Sequence, residues 1–71
     1  MTRSVGYACA FVAAFIEWRQ ALALGTAAIA CGDYVGGSEH MVRAGLLLAD
    51  VIEYHAKWQE ALEEESNADA D

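Results

Sequence analysis

The stretch that decides the fold of this chain is residues 5–31, VGYACAFVAAFIEWRQALALGTAAIAC. Nine of its 27 residues are alanine, and its strongly polar side chains are Glu17, Arg19, Gln20 and Thr26. Since the chain contains no proline, the pattern predicts one long α-helix. A helix that is apolar on nearly every side is buried on more than one side. One partner helix cannot cover it, so association is expected to be central to this protein.

The first helix is predicted to run from about residue 5 to residue 31. Ser4 is the expected N-cap, because a hydroxyl accepts hydrogen bonds from the free N–H groups of a first turn. Gly32 is expected to end the helix, because glycine readily adopts the left-handed conformation that closes one. Gly25 is a weak point at which the helix could divide.

The second helix is predicted over about residues 38–65, after a turn at residues 32–37. Ser38 is the expected N-cap, and a start nearer Val35 with Asp33 as the cap is the alternative. Residues 66–71 are expected to form a disordered acidic tail, since runs of like charge with small polar residues do not pack.

Apolar side chains repeat every seven residues in the second helix, which predicts a packed seam. One predicted row of the seam is Met41, Leu48, His55 and Leu62, and the other is Ala44, Val51 and Trp58.

Folding the chain back at residues 34–35 gives an all-α antiparallel hairpin, one domain over residues 1–62. The predicted contacts across the hairpin are Phe11 with Trp58, Phe15 with Tyr54 and His55, and Gly25 with Ala44. A chain of 71 residues buries only a small core. We therefore expect the hairpin to be completed as a bundle by self-association or by a partner.

The turn resembles a tetratricopeptide repeat over roughly residues 18–51. The resemblance rests on Leu24-Gly25 and on Gly32-Asp33-Tyr34, which in that family opens the second helix. Alanine replaces the family's aromatic residues and closing proline at Ala21, Ala28 and Ala49. The pattern occurs once, whereas repeats of this kind stack in about three copies. The resemblance implies a tightly packed hairpin, and the family's peptide-binding groove is not carried over to this chain.

The net charge is −7, and ten of the eleven acidic residues follow residue 32. Such a chain should be repelled by nucleic acid and by anionic membranes and attracted by basic protein surfaces. The predicted partner-binding carboxylates are Asp33, Glu39, Asp50, Glu53, Glu60, Glu63 and Glu64. In size and charge the chain is similar to small acidic phage inhibitors, including anti-CRISPR and anti-restriction proteins. That resemblance implies a nucleic-acid mimic acting in the cytoplasm, the host's if a phage encodes it.

The alternative function is a homo-oligomeric adaptor or scaffold that acts through the apolar side of the first helix. The predicted contact residues are Phe11, Ala13, Phe15, Trp18, Ala27 and Tyr34. A membrane span is not expected, because Glu17 and Arg19 fall within the apolar stretch. Cys9 and Cys31 would lie about 33 Å apart along one helix, so they are predicted to be unpaired and buried.

No enzymatic activity, metal site or cofactor is expected. His40 and His55 would be about 22 Å apart along a helix, and the chain lacks Glu-x-x-His and Cys-x-x-Cys. The glycines of residues 32–37 lack the Lys-Ser/Thr of a phosphate-binding loop. His55, placed in a predicted seam, is a candidate pH switch, because protonating a buried imidazole would open the seam.

Overall fold

The structure, a computed structural model, describes residues 2–70, with side chains described for residues 2–68. Within that range it consists of two α-helices, α1 (Arg3–Ala30) and α2 (Tyr34–Ala70), without a β-strand. The helices pack against each other as a hairpin whose Cα atoms extend over 59 × 16 × 13 Å. The predicted all-α helical hairpin is confirmed, whereas its completion as a bundle stays a prediction.

The connection between the helices is only three residues long, residues 31–33. Gly32 has a φ of +88°, so it adopts the left-handed conformation that was predicted to end α1. Its N–H donates to the carbonyl of Ile29 (3.0 Å), and the N–H of Asp33 donates to the carbonyl of Ala28 (2.9 Å). These two hydrogen bonds form a Schellman motif, which satisfies the last carbonyls of α1.

Asp33 also caps the beginning of α2. Its carboxylate accepts a hydrogen bond from the N–H of Gly36 (3.0 Å), and its carbonyl accepts one from Gly37 (2.9 Å). The predicted N-cap at Ser38 is therefore wrong, and the alternative with Asp33 as the cap is confirmed. The turn is shorter than predicted because one aspartate directly after the glycine satisfies the N–H groups of the next helix.

Thr2, and not Ser4, caps the beginning of α1. The Thr2 hydroxyl accepts a hydrogen bond from the N–H of Val5 (3.4 Å). Ser4 is buried and its hydroxyl donates to the carboxylate of Glu65 (2.7 Å). The predicted cap at Ser4 is wrong because its side chain faces α2, where a long-range acceptor replaces the local one.

Gly25 does not divide α1, which is continuous from Arg3 to Ala30, and the two helices lie close together at this glycine. A Cβ at Gly25 would lie 3.2 Å from the carbonyl oxygen of Gly37, and a Cβ at Gly37 would lie 3.1 Å from that of Gly25. The other near neighbours of Gly25 are Met41 and His40, so the predicted contact with Ala44 is displaced toward the turn. The displacement arises because the chain turns at residues 31–33, before the predicted fold at residues 34–35.

The core between the helices is built mainly from small side chains. The buried apolar residues are Ala14, Ala21, Ala44, Val51 and Ala61. Small side chains at a contact allow two helix axes to approach closely. The hairpin is therefore held by a narrow seam, and the larger apolar side chains lie beside it.

One of the two predicted rows of α2 is covered by α1, and most of the other row is left exposed. Ala44 and Val51 are buried and Trp58 is half-buried, as predicted. In the other predicted row Met41 is half-buried, whereas Leu48, His55 and Leu62 are exposed. The second covered row lies one residue earlier: His40, Leu47, Tyr54 and Ala61. The prediction was wrong because apolar residues occupy three neighbouring rows along α2, and the single helix α1 covers only two of these rows.

The predicted disordered tail is helical as far as the structure describes it. α2 continues to Ala70, and residue 71 lies outside the described residues. Extending a helix that is already formed needs no new nucleus, and the contact of Glu65 with Ser4 fixes α2 just before the tail. Alanine at residues 68 and 70 also favours helix.

Candidate interaction surfaces

One side of the hairpin is an apolar face to which both helices contribute. Its ten residues are Phe11, Phe15, Trp18, Leu22 and Ile29 of α1 and Met41, Leu48, His55, Trp58 and Leu62 of α2. Spacings of seven residues keep each row on one side of its helix. Five large side chains of this face are each 36–40% exposed: Phe15, Leu22, Ile29, Leu48 and Leu62. The apolar face is therefore only partly covered within one chain.

An aromatic cluster joins the two helices at the end of this face that is remote from the turn, the open end. The ring centroids of Phe11 and Trp58 are 6.0 Å apart, which confirms that predicted contact. Phe15 packs instead on its own helix, 6.1 Å from Phe11 and 5.6 Å from Trp18. The predicted contact of Phe15 with Tyr54 and His55 is therefore replaced by contacts with Phe11 and Trp18, one turn away on the same helix.

His55 packs on this cluster but is not buried. Its ring centroid lies 5.4 Å from that of Phe11 and 6.1 Å from that of Trp58. The imidazole is exposed to solvent, so its predicted place in a buried seam is wrong. The hypothesis of a pH switch loses the burial on which it depended.

The side of α1 that points away from α2 forms a second apolar surface, the outer α1 surface. It consists of Val5, Cys9, Val12, Ala13, Ile16, Ala23, Ala27 and Ala30, all at least partly open to solvent. Val12 and Ile16 are 52% and 50% exposed. Arg19 and Gln20 interrupt it. Cys9 lies on this surface and Cys31 at the turn, both exposed, so their predicted burial is wrong.

The predicted apolar contact residues therefore belong to different surfaces. Phe11, Phe15 and Trp18 lie together on the apolar face. Ala13 and Ala27 lie on the outer α1 surface, and Tyr34 is exposed in the first turn of α2.

α1 also meets the length and composition criteria of a membrane-spanning helix. Its best 18-residue window has a mean hydropathy of 1.2, and 17% of that window is buried in the hairpin. A signal sequence near an N-terminus and the buried core helix of a soluble protein meet the same criteria. Glu17 and Arg19 lie near the middle of α1, where a charged side chain is costly in a bilayer.

The open end of α2 carries an acidic stripe, defined as Glu53, Glu60, Glu63 and Glu64. All four side chains are exposed. Glu53 accepts a hydrogen bond from Lys57, with an N–O distance of 3.0 Å, and this bond raises the pKa of Lys57. Glu64 pairs with Arg3 of α1 at 2.6 Å. The neighbouring Tyr7, whose ring centroid lies 5.9 Å from the guanidinium carbon of Arg3, and the attraction of Glu64 raise the pKa of Arg3.

The other predicted acidic residues lie apart from this stripe. Asp33 caps α2 at the turn. Glu39 and Asp50 are exposed in the first half of α2, and Glu39 lies about 37 Å along the helix from Glu64. Six of the seven predicted carboxylates therefore lie in α2, where the helical repeat spreads them around and along the helix, and four of these six share one stripe. Their role in partner binding stays a prediction.

Ser4 and Glu65 fasten the open end of the hairpin. The Glu65 carboxylate accepts hydrogen bonds from the hydroxyl of Ser4 (2.7 Å) and from its backbone N–H (3.2 Å). Both bonds favour the ionised carboxylate and lower the pKa of Glu65 below its ordinary value of 4.5. Sequence reasoning missed this contact, although pairing of Phe11 with Trp58 implies that residues 4 and 65 are opposite each other.

We expect this contact to make stability fall in acid. Because the pKa of Glu65 is lowered in the folded chain, the unfolded chain binds more protons below about pH 4.5. The stabilisation is present above that pH and is lost as the pH falls through the lowered value. Urea unfolding between pH 3 and pH 6 should show a shallower acid loss in Glu65→Gln than in the wild type. Glu60→Gln removes the same charge away from Ser4 and should keep the wild-type slope; equal slopes in all three proteins would contradict the assignment.

The described residues contain no group of three His, Cys, Asp or Glu side chains placed to hold a metal ion. The chain matches no protein family model, no curated protein and no solved structure. The likeness of its turn to a tetratricopeptide repeat thus remains one of local sequence pattern.

Proposed function

We propose that this chain is a small non-enzymatic protein that binds a basic protein surface through the acidic stripe. The observation that carries the proposal is the placement of Glu53, Glu60 and Glu64. They follow one another at seven and four residues, so they share one side of α2, and all are exposed. A surface that attracts this stripe is one that would otherwise bind nucleic acid, which the protein would exclude.

The spacing of the carboxylates supports this role. The four carboxylates of the acidic stripe lie between Glu53 and Glu64 inclusive, over about 16 Å of helix. That is roughly one charge per 4 Å, close to the phosphate spacing of about 3.4 Å along one DNA strand. The ion pairs with Arg3 and Lys57 are exposed and therefore weak, so cations of a partner can replace both. The net charge of −7 would steer the encounter.

A charge-matched pair of triple variants tests this proposal. The stripe variant is Glu53→Gln/Glu60→Gln/Glu64→Gln, and the control is Glu17→Gln/Glu39→Gln/Asp50→Asn; both have the same net charge. The measurement is displacement of labelled DNA from a panel of purified nucleases and CRISPR effector complexes. We expect the stripe variant to displace DNA at least about 10-fold less effectively than the control. Raising the salt from 50 to 300 mM should weaken displacement by the wild-type chain to a similar extent.

Two outcomes would contradict the proposal. Equal weakening in both triple variants would show that net charge acts without the stripe. Failure of the wild-type chain to displace DNA from any member of the panel would exclude the role of nucleic-acid mimic.

A second candidate function is a homo-oligomeric helical scaffold. It is favoured by the amount of apolar surface that one hairpin leaves open, including the half-exposed Val12 and Ile16 of α1. Large exposed apolar patches mark interaction surfaces. Light scattering over a concentration series, without detergent, should then give a dimer or tetramer. A monomer at every concentration would contradict this candidate, and a chain that needs detergent would indicate a membrane partner.

A further inference from the structure

We infer that two copies of this chain pair through the apolar face to form an antiparallel four-helix bundle. This inference rests on the second proposed function, self-association, and deepens it by assigning the surface and the orientation of the two copies.

The apolar face has the pattern that packs against a second hairpin. Rows of large apolar side chains at seven-residue spacing insert between those of facing helices. None of the ten residues of this face is acidic, lysine or arginine. Helical periodicity puts most of the charged residues of α2 on the opposite side of that helix: Glu39, Arg43, Asp50, Glu53, Lys57, Glu60 and Glu64. The apolar face is therefore suited to burial, whereas the opposite side carries most of the charge together with exposed apolar side chains such as Leu46.

The size of the apolar face matches a stable dimer. The ten residues of the face extend over about 32 Å of α2, from Met41 to Leu62, and two packed helices are about 20 Å wide. The footprint of the face is therefore about 640 Å² in each copy, within the range of about 600–1,000 Å² of accessible surface that a specific interface buries per partner. The outer α1 surface is one helix wide, about half that area, and Arg19 and Gln20 interrupt it.

Charge decides the orientation of the two copies. The open end of each hairpin carries Glu60, Glu63, Glu64 and Glu65. A parallel pair would bring these two acidic ends together, whereas an antiparallel pair separates them by about 40 Å. That separation is several times the screening length of about 8 Å at physiological salt. The repulsion therefore favours the antiparallel bundle.

Shape favours the same orientation. The open end of the apolar face carries the bulky cluster of Phe11, Phe15 and Trp58. The turn end is slim, because Gly25 and Gly37 bring the helices together there. An antiparallel pair sets the bulky end of one copy against the slim end of the other, so that both ends fill the space between the hairpins.

Leu48 and Leu46 provide a matched test of the surface. Leu48 lies on the apolar face, midway along the hairpin, and is 38% exposed; Leu46 is 70% exposed and points away from that face. In an antiparallel pair the two copies of Leu48 lie near the symmetry axis. Leu48→Glu should raise the dimer dissociation constant at least about 100-fold, because two carboxylates would be buried together. Leu46→Glu should change it less than about 3-fold. Analytical ultracentrifugation measures both, with circular dichroism as the check on helicity.

A spin label on the native Cys31 tests the orientation of the two copies without changing the apolar face. In a Cys9→Ser chain, a nitroxide on the exposed Cys31 marks the turn of each copy. Dipolar electron paramagnetic resonance should give a distance of about 40 Å for the antiparallel pair and below about 20 Å for a parallel one.

The outcomes separate this inference from the function on which it rests. A monomer at every concentration overturns both. A dimer that persists in Leu48→Glu but dissociates in Ile16→Glu overturns the assigned surface and leaves self-association standing. A short distance between the labels overturns the orientation, and it does so even if Leu48→Glu fails to fold.

Discussion

The substitution Ala21→Glu should remove most of the stability of the hairpin. Ala21 is 3% exposed and lies in the narrow seam where α1 faces α2. A carboxylate there would be desolvated without a partner or would force the helices apart, which costs about 3 kcal/mol or more. A chain of this size has a total stability of only about 4–10 kcal/mol. Urea unfolding followed by circular dichroism should therefore show a much lower midpoint, or a chain unfolded without denaturant.

Ala23→Glu is the matched control for this prediction. It is the same substitution two residues later in α1, at an exposed position of the outer α1 surface. Its free energy of unfolding should stay within about 0.5 kcal/mol of the wild type. The comparison must be made at a concentration where the wild type is monomeric. Equal losses in both variants under that condition would contradict the orientation of α1.

The second large effect is expected at Gly37, where even alanine should be destabilising. A Cβ at this position would lie 2.5 Å from Cγ1 of Ile29 and 3.1 Å from the carbonyl oxygen of Gly25. Ile29 must move and the helices must separate slightly, which costs about 1–3 kcal/mol. Alanine recovers up to about 1 kcal/mol through its higher helix propensity. We expect a net loss of about 1–2 kcal/mol in the free energy of unfolding.

Gly45→Ala tests the effect of helix propensity at a position where interhelical packing does not change. Gly45 also lies within α2, but a Cβ there would meet nothing within 4 Å. The same substitution should therefore stabilise the hairpin by about 0.5–1 kcal/mol. Opposite signs in Gly37→Ala and Gly45→Ala would support the close crossing of the helices. Stabilisation by both substitutions would show that the helices are farther apart at Gly37.

The acidic residues of the candidate site could be predicted only in part from the sequence. The concentration of carboxylates after residue 32 was plain from the sequence, but the stripe of Glu53, Glu60, Glu63 and Glu64 was not singled out among the seven predicted carboxylates. The use of Asp33 as a helix cap and of Glu65 as the acceptor for Ser4 was not plain from the sequence. Both roles depend on where the chain turns, and a shift of a few residues in the turn changes which carboxylates remain available to a partner.

The sequence by itself determined that this chain is two helices folded at a glycine-rich turn. The apolar length of residues 5–31, the absence of proline and the left-handed preference of Gly32 are local properties, and local properties survive any arrangement of the helices. The aromatic contact between Phe11 and Trp58 also followed, because folding back at a known turn fixes which residues are opposite each other.

Only the tertiary structure decided which apolar side chains the hairpin covers. α2 is apolar at three adjacent heptad positions, and its sequence does not distinguish the two that α1 covers from the one left open. The close contact of Gly25 with Gly37 rotates α2 so that Leu47 and Tyr54 turn toward α1 while Leu48 and His55 stay exposed. A rotation of one residue, about 100° around the helix, moves a whole row from core to surface, and interhelical packing alone sets that rotation.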